Sequence, residues 1–207
     1  MTTRKDKIFY WDNVYATKES KAVSWYQEYP LQSIEMIKRS NLRHDAPIID
    51  VGSGTSSLIS ELIANNFVNI TALDISQNAL KISKMQLGEN SKKINWVNSN
   101  ILSAKLPSKV FAFWHDRATM HFLTSKEDIS NYKKKIFESL KPNGYLLIMA
   151  FAKNGPDKCS GLTVKKYSIN SLSKEFNTFD LLHSINHSHF TPAGVEQKFI
   201  TCLFQSR

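Results

Sequence analysis

The stretch that decides the fold is IIDVGSGTSSL, residues 48–58, in which a short β-branched run ends at two closely spaced glycines. Residues 47–51 predict a buried strand and residues 57–64 predict a helix. Gly52 and Gly54 lie in the turn between them, where a backbone without Cβ atoms lets a ligand approach closely. A strand, a glycine turn and a helix in this order predict a ligand at the carboxyl edge of a sheet.

An acidic residue follows at the spacing that a nucleoside site needs. Asp74 ends a second apolar run, in TALDIS, 20 residues after Gly54. A carboxylate at this position can accept hydrogen bonds from both hydroxyls of a ribose. A dinucleotide site would have a third glycine where this chain has Ser57, so the pattern favours adenosine without a diphosphate. A plain structural turn is the alternative interpretation of the glycines.

Apolar runs and amphipathic runs alternate along most of the chain. After the first strand and helix, the predicted elements are strands at 69–73, 94–97, 110–114 and 145–151, helices at 76–87 and 126–140, and a turn at 142–144. This alternation predicts a parallel sheet with helices on both faces. The tail departs from it, because residues 179–190 and 197–204 are strand-like with a turn at 191–194, which predicts an antiparallel hairpin at one edge. Upstream, residues 21–40 predict two helical pieces around Pro30.

Composition limits the class of protein. The chain has 207 residues, 42% hydrophobic and 22% charged, which suits one core and excludes a disordered or collagen-like chain. Lys and Arg number 27, Asp and Glu number 18, and the net charge of +9 would suit an anionic partner. The most apolar run, Tyr145–Ala152, is far shorter than the roughly 20 residues of a membrane-spanning helix. Cys159 and Cys202 have no close metal-ligand neighbour in sequence, and the N-terminus lacks a secretory pattern. We expect no metal, no membrane association and a cytoplasmic location.

Two motifs and the tail together carry a family resemblance. DVGSG at residues 50–54, LDIS at residues 73–76 and the C-terminal hairpin resemble the class I S-adenosylmethionine-dependent methyltransferases over nearly the whole chain. The resemblance implies a Rossmann-like, seven-stranded, mostly parallel sheet with an antiparallel C-terminal hairpin. It also implies one domain over residues 1–207, with an N-terminal helical lid at 1–45 and a core at 46–207. The implied cofactor is S-adenosylmethionine, which leaves as S-adenosylhomocysteine.

The resemblance also implies which residues bind the cofactor. They come from the glycine loop, the ends of the central strands and the lid: Asp50, Gly52, Ser53, Gly54, Asp74, Ile75, Asn100, Ile101, His115, Trp11 and Tyr15. Within this set, the glycine loop lines the methionine part and Asp74 holds the ribose. Two positions depart from the family pattern, since Ser56 replaces a common third glycine and Asn100 replaces a carboxylate near the adenine. An Asn carbonyl can still accept a hydrogen bond from the adenine amino group.

Side chains suited to catalysis are concentrated in FAFWHDRATMHFLTS, residues 111–125, at the end of the fourth predicted strand. Methyl transfer from a sulfonium is an in-line displacement, so positioning is required and a base is optional. The predicted catalytic residues are His115, Asp116, Arg117 and His121. A histidine would take the acceptor proton, Asp116 would orient the imidazole or the donor's amino end, and Arg117 would organise the loop or attract an anion. The alternative is that Asp116 and Arg117 form a structural ion pair that braces the loop, with His121 as a partly buried helix residue.

The predicted acceptor-binding residues are Trp25, Tyr26, His121, Cys159 and Tyr167. In the resemblance, the aromatic N-terminal segment folds over the cofactor and excludes water, whereas ordinary aromatic packing is the alternative. WHDRATMHFL resembles a WHDRAxxHFL segment in a small bacterial group of class I methyltransferases. A more distant likeness, in the WDxxY start, is to protein-lysine methyltransferases, but their DKGT segment after the fourth strand is absent here.

These observations predict methyl transfer to a small nucleophilic acceptor, with a thiol as the first candidate because its ordinary pKa of about 8.5 requires little help to ionise. One alternative is lysine N-methylation of an acidic protein substrate, which would suit the positive charge. A second alternative is a non-catalytic cofactor-binding module. A nucleic-acid substrate is not expected, because the Asn/Asp-Pro-Pro-aromatic and Pro-Cys motifs of such enzymes are missing and the basic residues are scattered.

Overall fold

The computed structural model describes residues 4–207, which fold around one seven-stranded sheet with helices on both faces. The strands are β1 (Ile48–Val51), β2 (Ile70–Asp74), β3 (Ile94–Asn98), β4 (Phe111–Arg117), β5 (Leu140–Phe151), β6 (Lys158–Cys159), β7 (Leu162–Thr163), β8 (Phe179–Phe190) and β9 (Glu196–Ser206). The helices are α1 (Arg4–Thr17), α2 (Leu31–Arg39), α3 (Leu58–Ala64), α4 (Gln77–Leu87), α5 (Lys126–Ser139) and α6 (Ile169–Glu175), with 3₁₀ turns at Gly88–Lys93 and Met120–Phe122.

The sheet has the order β3-β2-β1-β4-β5-β9-β8. Strands β1 to β5 are parallel, whereas β9 runs antiparallel to both of its neighbours, β5 and β8. This arrangement confirms the predicted mostly parallel sheet with an antiparallel C-terminal hairpin at one edge. The chain changes direction across the sheet between β1 and β4, and such a switch point opens a crevice at the carboxyl ends of the strands.

Two hydrophobic layers cover the sheet because its central strands are apolar on both faces. On one face, α5 packs Ile136 and Tyr132 against Trp114 of β4 in the larger buried cluster. On the other face, Ile37 of α2 packs in a second cluster with β1 and with Leu58 of α3. Every residue of β1 and β2 is buried, as expected for parallel strands covered by helices on both sides.

The N-terminal segment folds differently from its predicted form. Residues 18–30 form turns rather than a helix, and a helix is found instead at α1. Helix α1 has no clear apolar face in the sequence. Polar hydrogen bonds contribute to its packing against the rest of the molecule. The Asp12 carboxylate accepts hydrogen bonds from the Ser76 hydroxyl at 2.7 Å and the Asn78 backbone N–H at 3.1 Å, at the start of α4.

The segment that covers the carboxyl edge is shorter than the predicted lid at 1–45. Helix α2 packs against one face of the sheet and contributes Ile34 and Ile37 to the second buried cluster. It is therefore part of a helical layer of the core and not of the cover. The covering segment therefore comprises α1 and the turns up to Pro30, and residues 1–3 of the predicted lid lie outside the described residues.

The predicted turn at 142–144 lies within β5 instead of between two elements. The register against β4 shifts there, because Phe111 pairs with Leu140 whereas Phe113 pairs with Tyr145. The extra residues stay in the sheet because β9 satisfies their carbonyl groups, for example through the Ser206 hydroxyl, which donates to the Lys141 carbonyl at 2.8 Å. Three short elements, α6, β6 and β7, were not predicted, since runs this short carry little periodicity.

Residues 4–207 contain neither a helix suited to span a membrane nor a cluster of metal-binding side chains. None of the helices described there is long and apolar enough to cross a membrane. The same part of the chain contains no group of three His, Cys, Asp or Glu side chains that could hold a metal ion.

Truncation of a buried leucine on β5 should test the central layer. Leu146 is 0% exposed, whereas Leu182 on the edge strand β8 is 50% exposed. We expect Leu146→Ala to lower the free energy of unfolding by about 2–5 kcal/mol, because it leaves a cavity. The matched Leu182→Ala should change it by less than about 0.5 kcal/mol. Urea unfolding followed by circular dichroism measures both, and equal losses would contradict this account of the core.

Candidate active site

A cleft of about 890 Å³ opens at the carboxyl ends of the central strands, at the switch point between β1 and β4. Its floor comes from the ends of β1, β2 and β4, and its cover comes from α1 and the turn that contains Trp25. This volume includes space that is open to solvent, so the site is a cleft and not a closed cavity. The predicted glycine loop, acidic residue and aromatic cover therefore meet at one cavity.

The glycine loop is packed against side chains of the chain itself. Gly52 has φ +68°, and a Cβ atom there would lie 1.9 Å from the Thr119 hydroxyl oxygen. Gly54 has φ +53°, and a Cβ atom there would lie 2.4 Å from the Tyr15 hydroxyl oxygen. Both positions therefore need glycine for conformation and for space. Of the two, Gly52 lines the cavity.

Asp74 lies at the base of the cavity and holds the glycine loop. Its carboxylate accepts hydrogen bonds from the backbone N–H groups of Gly54 and Ser76, each at 2.8 Å. Burial raises the pKa of Asp74 to about 6, although these hydrogen bonds oppose the shift. Each carboxylate oxygen retains a further lone pair, so the side chain can also accept the hydroxyl groups of a ribose.

The adenine end of the predicted site is also at the cavity. Ile75, Asn100 and Ile101 line the cavity beside Asp74. The Asn100 side-chain carbonyl accepts a hydrogen bond from the Leu102 backbone N–H at 2.9 Å. That bond fixes the amide while leaving a second lone pair for a ligand amino group.

His115 is buried beneath the cavity and does not line it. Its ring lies between two partners, with Nδ1 2.7 Å from Asp50 Oδ1 and Nε2 2.9 Å from Ser33 Oγ. The predicted use of His115 as a base is therefore corrected, because both ring nitrogens are engaged in a side chain that is 2% exposed. Its role is to fix the Asp50 carboxylate, whose other oxygen is buried without a partner among the described residues. Ser53, within the glycine loop, is likewise buried and does not line the cavity.

Asp116 organises the turn that follows β4. Its carboxylate accepts hydrogen bonds from the backbone N–H groups of Thr119 at 2.8 Å and Met120 at 3.0 Å, and from the Tyr132 hydroxyl. Burial raises its pKa to about 6. These backbone and hydroxyl groups are the hydrogen-bond partners of the buried carboxylate within the described residues, so neither the predicted contact with an imidazole nor the alternative ion pair with Arg117 describes it. The correction follows from the strand register, which points Asp116 into the core.

Arg117 lines the cavity and is the predicted catalytic residue that reaches it. One guanidinium nitrogen, Nη1, donates to the Trp25 carbonyl at 2.9 Å. The other, Nη2, is buried and has no partner among the described residues. Burial lowers the pKa of Arg117 to about 10, so the side chain remains a cation at neutral pH. A buried cation with a free donor is suited to an anion.

His121 does not reach the cavity. Its ring is 0% exposed and packs against Phe122 and Phe151, at centroid distances of 4.5 and 4.7 Å. Burial, and then the nearby Arg117 charge, lower its pKa to about 3. The imidazole is therefore neutral at physiological pH and distant from any acceptor proton. The predictions of His121 as a base and as an acceptor contact are both corrected.

The other predicted acceptor residues divide into two groups. Trp25 and Cys159 line the cavity, as do the predicted cover residues Trp11 and Tyr15. Tyr26 lines a smaller adjoining pocket of about 280 Å³ instead. Tyr167 packs inside the larger core cluster, so its predicted contact with an acceptor is corrected.

Comparison with a family model identifies part of the chain. Residues 49–148 match the methyltransferase domain model. This match spans just under half of the chain, and over these residues the chain is similar to a methyltransferase domain. The match begins at β1 and ends within β5, so it includes the glycine loop, Asp74 and Arg117.

Known methyltransferases are similar to this chain over most of its length. EEF1A lysine methyltransferase 2 of Danio rerio is 28% identical over 153 residues, which are 67% of this chain and 66% of the relative. A ubiquinone biosynthesis O-methyltransferase of Rickettsia conorii is 28% identical over 154 residues, 73% of this chain and 50% of the relative. The chain thus matches about half to two thirds of the length of these two relatives. The crystal structure of a methyltransferase from Methanosarcina mazei superposes with a TM-score of 0.70 at 19% identity, covering 87% of this chain and 99% of that one.

The cofactor of this methyltransferase domain is S-adenosylmethionine, whose sulfonium supplies an electrophilic methyl group. The residues at and beside the cavity fit it. Asp74 lines the cavity and offers lone pairs to a ribose. Asp50 does not line the cavity, but it lies two residues before Gly52, and its buried second oxygen, without a partner among the described residues, is suited to an ammonium group. The backbone at Gly52 leaves the loop accessible to a ligand.

Several cavity residues of the methyltransferase domain were not predicted from the sequence. Lys7, Ser99, Leu102, Ala118, Thr119, Phe122 and Leu123 line the cavity beside the predicted residues. Thr119 is the most informative, because its hydroxyl donates to the Val51 carbonyl at 3.0 Å and covers Gly52. The sequence contains one indication of this turn. Asp116, three residues before Thr119, is an acidic residue of the kind that accepts a hydrogen bond from a backbone N–H in a turn, and it does so here from Thr119.

Binding of S-adenosylhomocysteine should weaken as the pH falls through about 6. The raised pKa of Asp74 means that acidification neutralises it in the free protein, and a neutral acid accepts fewer hydrogen bonds. Isothermal titration calorimetry between about pH 5 and 8 measures the dissociation constant. Asp74→Asn should bind more weakly and lose this pH step, which separates Asp74 from Asp116. A step that persists in the variant would contradict the assignment.

Alanine at Gly52 should cost both stability and cofactor affinity. Gly52→Ala places a methyl group on Thr119, and we expect S-adenosylhomocysteine to bind at least about tenfold more weakly. Gly88→Ala is the matched control, because Gly88 has φ +55° with no atom within 4 Å of the added Cβ. The double variant Gly52→Ala/Thr119→Ala should recover part of the loss. Calorimetry and urea unfolding test this, and equal effects at Gly52 and Gly88 would overturn it.

Proposed function

We propose that the protein transfers the methyl group of S-adenosylmethionine to a small nucleophilic acceptor, a thiol, that loses its proton before transfer. The supporting observation is the charge of the cavity wall. Arg117 presents a buried guanidinium nitrogen without a partner among residues 4–207. A thiolate is an anion that such a donor stabilises.

The cavity offers an acceptor no base among the residues described. Asp74 holds the glycine loop, and in this proposal its remaining lone pairs accept the hydroxyl groups of the donor ribose. Burial raises the pKa of Cys159 to about 11 and raises that of Tyr15 well above its ordinary value, so both keep their protons. The acceptor must therefore release its proton to water. A thiol, with an ordinary pKa of about 8.5, is partly ionised at neutral pH, whereas a lysine ammonium at about 10.4 is not.

In the proposed reaction, each group of the chain has a separate task. Asp74, which lines the cavity, and Asp50, whose second oxygen has no partner among the described residues, bind the donor and fix its orientation. Trp11 and Trp25 line the cavity and exclude water from it. The acceptor sulfur uses a lone pair to form the new S–C bond, while the donor C–S bond breaks and its electron pair returns to the donor sulfur. Arg117 holds the thiolate in place and keeps it ionised.

A second candidate is N-methylation of a lysine side chain, since one relative is a lysine methyltransferase by name. The cavity disfavours it, because Lys7 and Arg117 both line the wall and would repel an ammonium group. The related ubiquinone biosynthesis O-methyltransferase suggests a hydroxyl acceptor, which would need a base that the described cavity residues do not supply. A non-catalytic cofactor-binding role would give tight binding without turnover.

Arg117 variants should separate these functions. With S-adenosylmethionine and a panel of a small thiol, a phenol and a lysine peptide, mass spectrometry should detect transfer to the thiol. Arg117→Gln should lower kcat/KM for the thiol by about 100-fold, since removal of one stabilising donor has this size of effect. It should also shift the pH dependence of kcat/KM to higher pH, because the thiolate loses its stabilising cation. Arg117→Lys should retain much more activity. Methylation of the peptide instead of the thiol would overturn the proposal.

The dissociation constant of S-adenosylhomocysteine is the control for this experiment. It should change little in both Arg117 variants. A parallel loss of cofactor affinity would show that Arg117 binds the donor, and its assignment to the acceptor would then be wrong.

A further inference from the structure

Three aromatic side chains from separate parts of the chain meet at the cavity. Trp11 comes from α1, Trp25 from the covering turn and Phe122 from the 3₁₀ turn after β4. Trp11 is central, since its ring centroid lies 5.8 Å from that of Trp25 and 5.1 Å from that of Phe122, both in edge-to-face orientation. We call these three residues the aromatic wall.

The aromatic wall is next to the Arg117 end of the cavity. Arg117 donates a hydrogen bond to the Trp25 carbonyl at 2.9 Å. Phe122 and Trp25 also pack against the buried cluster that contains Cys159. All three rings of the wall are only partly buried, so they present surface to the cavity rather than to the core alone. A ligand held near Arg117 therefore touches aromatic surface.

Aromatic walls bind either cations or flat apolar groups. The charges of this cavity separate the two cases. Lys7 and Arg117 line the same cavity, and Asp74 is the carboxylate that lines it within the described part of the chain. Since Asp74 faces the ribose position, a cationic acceptor would meet two positive charges near the wall without a carboxylate to balance them.

We infer that the acceptor is an aromatic thiol, with its ring against Trp11, Trp25 and Phe122 and its sulfur directed to Arg117. This inference rests on the proposed function and specifies its substrate class. An aromatic ring delocalises the charge of an attached thiolate, so an aromatic thiol ionises more readily than an alkyl thiol. That property matches a cavity with a buried cation and no base among its described residues.

The step balances without a further reactant. The aromatic thiol releases its proton to water and binds as the thiolate. Its sulfur forms a bond to the methyl carbon as the donor C–S bond breaks, and the electron pair of that bond stays on the donor sulfur. The products are a neutral aryl methyl sulfide and S-adenosylhomocysteine.

Binding of neutral products separates recognition of the ring from ionisation of the thiol. Thioanisole and methyl cyclohexyl sulfide have rings of equal size, carry no charge and undergo no reaction. Titrated into protein saturated with S-adenosylhomocysteine and followed by tryptophan fluorescence, thioanisole should bind about tenfold more tightly. Equal affinities would overturn the inference.

Variants of the wall provide the kinetic test. Trp11→Leu should raise KM for thiophenol by about tenfold while leaving KM for cyclohexanethiol within about twofold. Phe9→Leu is the matched control, because Phe9 lies in the same helix, is 77% exposed and should leave both constants unchanged. Phe122→Leu should act as Trp11→Leu does, and retained S-adenosylhomocysteine affinity shows that each variant is folded.

The outcomes distinguish this inference from the proposed function. If thiols are methylated without a preference for aromatic rings, the inference is wrong and the proposed function stands. If thioanisole binds preferentially but no thiol is methylated, the ring is recognised and the proposed function is wrong. An equal rise of KM for both thiols in Trp11→Leu would indicate a general packing role and would also overturn the inference.

Discussion

The hydrogen bonds accepted by the Asp116 carboxylate determine the shape of the candidate site. Two of them come from the backbone of Thr119 and Met120, and a third comes from the Tyr132 hydroxyl on α5. This buried carboxylate therefore ties the turn after β4 to a core helix. Held in this way, the turn directs Arg117 into the cavity and places Thr119 over Gly52. Burying a charge is unfavourable, and three donors offset that cost.

Neighbouring residues of β4 serve opposite sides of the site. His115 supports the floor through Asp50, Asp116 supports the turn, and Arg117 reaches the cavity. The period of two in a strand sends successive side chains to opposite faces, and the end of the strand gives the third a different direction. Three consecutive titratable residues in the sequence therefore have two kinds of role. Arg117 lines the cavity, whereas His115 and Asp116 support the structure around it. The two supports set geometry, and the cavity group provides charge.

The sequence predicted the sheet well because its strands are distinct apolar runs separated by strong turn signals. It also predicted that the glycine turn and Asp74 meet at one edge of the sheet, since the spacing from Gly54 to Asp74 reflects a helix, a turn and a strand that the chain must complete. It failed where contacts are non-local or polar. Helix α1 packs through Asp12, which has no periodic signature. The burial of His121 depends on Phe122 and Phe151, and the second of these lies on another strand. No local pattern reports such burial.

Three hydrogen bonds to backbone carbonyl groups attach the covering turn to the rest of the molecule. Arg117 binds the carbonyl of Trp25, His189 on β8 binds that of Ser24 at 2.8 Å, and the Ser57 hydroxyl binds that of Gln27 at 3.1 Å. Carbonyl groups are the same in every residue type, so these three bonds do not depend on which side chains the turn carries. Substitutions in the turn can therefore reshape the aromatic wall while the cover stays in place, and the glycine loop and Asp74 beneath it are left unchanged.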